Sequence, residues 1–62
     1  MDGFSLMDDG SAARARLFRE KAEEIRRAAR LANSLDVVRE LLETAIHFDH
    51  MAARVEKSLL SR

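Results

Sequence analysis

His47 and His50 stand three residues apart with Glu43 one turn before them, so three potential ligands share one helical face. Imidazole and carboxylate groups at that spacing can hold zinc or nickel. A working site also needs a further ligand and hydrogen bonds that orient the first ones, and the chain has only two histidines and no cysteine. Glu43, His47 and His50 are the candidate metal ligands. The ordinary reading of the same residues is a solvated helix surface, and no cofactor is expected.

Asp49 is the second residue of chemical interest, because it flanks an apolar stripe between Phe48 and Ala52. A carboxylate there wants a partner. Arg14, Arg16 or Arg19 can reach it once the chain folds back, so an ion pair is expected. No second carboxylate is placed to share acid and base work with it. The third group is basic: Arg26, Arg27 and Arg30 form the one basic cluster on the chain that no acid interrupts. Two copies of it could meet a nucleic acid or another anion, but no aromatic residue lies among them to stack a base. Arg16 with Glu20, Arg19 with Glu23, and Glu23 with Arg27 are pairs four apart, as on a solvated helix. A Gly-rich phosphate loop, a cysteine nucleophile and a serine beside a histidine and an acid are all absent. The reading is of a non-enzymatic protein.

These residues must be positioned by helices. Both glycines lie within the first ten of the 62 residues, proline is absent, and apolar residues make up 47%. Ala, Leu, Arg, Glu and Lys dominate beyond Gly10, which is helix composition. Alanine recurs at Ala15, Ala22 and Ala29, then at Ala45 and Ala52. Phe18, Ile25 and Ala32 fill the intervening seam positions on the first stretch, and Val38, Leu41, Phe48, Val55 and Leu59 on the second. Apolar steps alternating between three and four residues define the packing seam of a helix.

The expected organisation is an N-terminal arm over 1–10 and a helical hairpin over 11–62. Ser11 is the expected cap of a first helix spanning about 12–32. Asn33 and Ser34 form the turn, with Asn33 free to adopt a left-handed conformation and Ser34 capping a second helix of about 35–60. Folding back at this turn sets Ala29 against Val38, Ile25 against Leu41 or Leu42, Ala22 against Ala45, Phe18 against Phe48 and Ala15 against Ala52. Phe4 and Leu6 of the arm are expected to dock on a groove of the bundle.

A second apolar stripe lies beside the seam, comprising Leu17, Ala28, Leu31, Val37, Leu42, Ile46, Met51 and Leu60. One hairpin cannot bury both stripes, and a chain this short needs help from somewhere. The expected fold is therefore an all-α, two-helix antiparallel hairpin that dimerises into a four-helix bundle. Leu17, Leu31, Leu42, Ile46 and Met51 are the expected dimer contacts. The partner is a second copy, with another protein as a further candidate. Eleven basic and eleven acidic residues cancel, which argues against a polyanion partner, and no apolar run is long enough for a membrane span. An acidic start without a signal-peptide pattern gives a cytoplasmic expectation.

The run Phe18-Arg19-x-Lys21-Ala22-Glu23-Glu24-x-Arg26-x-x-Ala29, followed by Arg39-Glu40-Leu41-Leu42-x-x-Ala45-x-x-Phe48-Asp49-x-Met51-Ala52, resembles a group of short uncharacterised bacterial proteins common in alphaproteobacteria. Their pattern carries an aromatic before Arg-Ala-Glu-Glu, an Asp-Pro-Glu turn, then Leu-Leu, Ala, an aromatic and Leu-Ala. The resemblance covers about residues 18 to 56. This chain has Phe at both aromatic positions and Ser34-Leu35-Asp36 in place of the turn proline. The resemblance implies a helical hairpin and no activity.

Overall fold

The computed structural model describes the backbone of residues 2–60 and the side chains of residues 10–60. It contains two helices, α1 (Asp2–Leu31) and α2 (Leu35–Leu60), which pack against each other as an antiparallel hairpin. At 1.5 Å per residue they are about 45 and 39 Å long. The chain is rod-shaped, 50 × 20 × 10 Å, with a radius of gyration of 14.7 Å. A compact domain of this length would have roughly 10 to 11 Å.

Two boundary expectations are corrected. Helix α1 begins at Asp2, so Ser11 lies inside it and caps nothing, and residues 2–10 continue the helix instead of forming a separate arm. Nothing breaks the helix there: Pro is absent, and a helical glycine costs only ~1 kcal/mol against alanine. Gly10 has open space where a side chain would stand. The expected docking of Phe4 and Leu6 lies outside the described side chains. At the turn, no described residue takes a positive φ, Asn33 included. Helix α1 closes instead with the Ala32 amide donating to the Ala29 carbonyl at 3.3 Å. That bond spans three residues and tightens the last turn, so a left-handed cap is not needed.

Ser34 does cap α2. Its hydroxyl accepts a 3.5 Å hydrogen bond from the Val37 amide, and its carbonyl accepts the first helical bond from Val38 at 2.9 Å. This satisfies amides that would otherwise be orphaned at the helix start. Asp36 lies in the first turn of α2 and Lys57 in the last, both signs matching the helix dipole.

The expected phenylalanine layer of the seam forms. Phe18 and Phe48 meet with ring centroids 6.1 Å apart, tilted by 38°. Around them the fully buried residues are all small: Ala15, Ala22, Ala29, Ala45 and Ala52, each 5% exposed or less. Among the described residues no side chain larger than alanine is buried. The alanine columns draw the helices together, and the larger seam residues stay half-covered.

Candidate interaction site

Helical geometry gives the hairpin two unlike flanks. Four residues after a seam alanine is a step of about 40° to one side. That step leads from Ala15 and Ala22 to Arg19 and Arg26, and from Ala45 and Ala52 to Asp49 and Glu56. These four side chains form a network across the helices. Arg19 grips Glu56 through two nitrogens, Nη2 to Oε1 at 2.7 Å and Nε to Oε2 at 3.4 Å. Its Nη1 donates to Asp49 Oδ1 at 3.3 Å. Arg26 donates through Nη1 to the other oxygen of Asp49 at 2.9 Å, and through Nη2 to Glu23 at 3.0 Å.

The network is electrically closed. Hydrogen bonding from Arg26 is the main force holding the Asp49 carboxyl below the ordinary carboxylate range, with Arg19 adding to it. Arg19 does the same for Glu56. Both guanidinium groups are in turn held more firmly charged, Arg19 chiefly by Glu56 and Arg26 chiefly by Asp49. Asp49 finds Arg19, one of its three expected partners. Arg26 and Glu56 were not anticipated. The signal was present, since Arg19 and Arg26 are seven residues apart and so are Asp49 and Glu56. A charge repeating at the seam period occupies a fixed flank.

The opposite flank is built from the large residues. Four positions before Ile25 and Ala32 come Lys21 and Ala28. Four before Leu41, Phe48 and Val55 come Val37, Thr44 and Met51. One step further out on the same side stand Leu17 and Leu31. Phe18, Ile25, Leu41, Phe48 and Val55 are all half-buried. Leu17 is 61% exposed and Leu31 83%. The Thr44 hydroxyl donates to the Glu40 carbonyl of its own helix at 2.9 Å. It therefore brings no unsatisfied polar group to this surface.

The expected stripe thus divides. Leu17, Leu31 and Met51 belong to the phenylalanine flank, whereas Leu42 and Ile46, at 40% and 52% exposure, belong to the ion-paired flank. Leu42 borders a shallow groove there with Arg26, Ala29, Arg30 and Val38. The basic cluster divides as well. Arg26 is engaged by Asp49 and Glu23, while Arg27 and Arg30 are exposed. Glu43, His47 and His50 are exposed on α2. Among the described residues, no group of three or more His, Asp or Glu side chains converges as a metal site. No described helix is long and apolar enough to cross a membrane.

Comparison of the chain with protein families, with characterised proteins and with solved structures finds no significant match to any of them.

Proposed function

We propose that this protein is a small non-enzymatic interaction module that works in the cytoplasm as a homodimeric four-helix bundle, with the phenylalanine flank as its self-association surface. The observation that carries this reading is the burial pattern: among the described residues nothing larger than alanine is buried, while the aromatic and aliphatic seam residues face outward on one side. Half-covered Phe and Leu side chains forfeit much of the ~1.5 to 3 kcal/mol that full burial supplies. The exposed area points the same way. The chain exposes 5011 Å², about 1000 Å² more than a compact monomer of its mass. Each partner of a standard interface covers about 800 Å².

Sedimentation equilibrium tests the reading. The expected mass is twice the 7.0 kDa of the chain at micromolar concentration, and a strictly monomeric chain overturns it. The alternative, a nucleic-acid surface made by Arg26, Arg27 and Arg30, has less to work with because Arg26 is already held by two carboxylates. Binding to mixed nucleic acid across a salt series is expected to be absent.

A further inference from the structure

We infer that the two copies pair head to tail on the phenylalanine flank, the turn of one lying over the open end of the other, with α1 against α1 and α2 against α2. This rests on the dimer reading above and adds its orientation. The argument is the placement of charge along the rim. Toward the open end the rim carries Arg14 on α1 and Arg54 on α2, which with Val55 and Ser58 border a groove. Toward the turn it carries Glu40 on α2 and Glu24 on α1, both exposed, Glu24 also meeting Lys21 of its own helix in a solvent-exposed pair at 3.7 Å.

Pairing with both turns at the same end would set basic end beside basic end and acidic beside acidic. The reversed pairing matches them on both helices at once. A two-fold axis across the helices that brings Arg54 to the partner's Glu40 must cross α2 midway, at position 47. One that brings Arg14 to the partner's Glu24 must cross α1 at position 19. Those two positions lie at the same height in the hairpin, because Phe18 faces Phe48 one residue away from each. Two independent charge matches therefore give one axis. It also crosses α2 at the middle of its span, Leu35–Leu60, so the helices overlap along their length. The ion-paired flank is left facing water, where four paired charges need not be desolvated.

The chain has no cysteine, so Asn33→Cys at the exposed turn gives one spin-label site per copy. Pulsed dipolar spectroscopy on the full chain then reads the separation of the two turns. Head-to-tail pairing puts each turn about 14 residues from the axis and predicts a separation of about 40 Å. A single short distance, below about 25 Å, would mean that the turns share one end and overturns the orientation alone. Absence of any intermolecular dipolar signal overturns the dimer and the orientation with it. A charge exchange supplies the second readout: Arg54→Glu and Glu40→Arg should each weaken association several-fold, and the double variant should recover it. Failure to recover contradicts the pairing.

Discussion

The two flanks of this hairpin are built at the same seven-residue period from different material. On one, alanines are sealed beneath arginine and carboxylate side chains that neutralise each other within a single copy. On the other, phenylalanine, isoleucine and valine stand half-covered, with leucine and methionine beside them. A small residue lets the helices approach and leaves nothing large to bury. A large residue at the neighbouring seam position is pushed outward by that same approach. Close packing and an outward-facing apolar surface are thus two results of one alternation.

The contrast can be broken most forcefully at Phe48. Phe48→Ala should cost about 3 to 5 kcal/mol where a second copy seals the ring, and roughly half as much if the hairpin stands alone. Urea unfolding at two protein concentrations separates the cases, because only a dimer-coupled loss depends on concentration. On the alanine side the error to introduce is excess volume. Ala22→Leu should overpack the contact with Ala45 and cost ~1 to 3 kcal/mol. An unchanged urea midpoint would show that the register is wrong.

Gly10→Ala probes where α1 begins. Gly10 is helical with open space around it, so the substitution should raise stability by ~0.5 to 1 kcal/mol and increase helicity in circular dichroism. No change in helicity would return the first ten residues to an arm.

The ion-paired flank should give the smallest effect, visible mainly against pH. Asp49 and Glu56 are held below their ordinary range when folded. Their contribution is therefore fully present above about pH 4 to 4.5, the unfolded values, and is withdrawn as pH falls through the lower folded values. Asp49→Asn should flatten that acid limb in a series of urea midpoints. Added salt should weaken the wild type there as well, since these charges are near solvent.

Much of the fold was legible because seam periodicity and turn chemistry are local. The alanine columns, the Phe18 to Phe48 layer and the Ser34 cap follow from residue types at fixed spacing. The start of α1 did not, because Ser11 after Gly10 carries a cap signal that competes with uninterrupted helical propensity, and propensity prevailed. The interaction surface was read without direction. Leu42 and Ile46 lie beside the seam as Leu17, Leu31 and Met51 do, yet Leu42 stands four residues after Val38 and Ile46 one after Ala45, on the alanine side, whereas Met51 stands four before Val55, on the other. In the sequence Arg26 reads as part of a basic cluster with Arg27 and Arg30. Its position seven residues after Arg19 already assigned it to Asp49.

One matched pair of substitutions tests the division of the flanks most directly. Leu17 and Ile46 are similarly exposed on the hairpin, at 61% and 52%, so a charge at either disturbs a lone hairpin little. Sedimentation velocity of Leu17→Lys and Ile46→Lys, compared with the unaltered chain, should find association weakened by roughly 100-fold or more in the first, where the ammonium would be desolvated between copies beside another lysine, and unchanged in the second. Equal dimerisation by both variants, or loss confined to Ile46→Lys, would contradict the account.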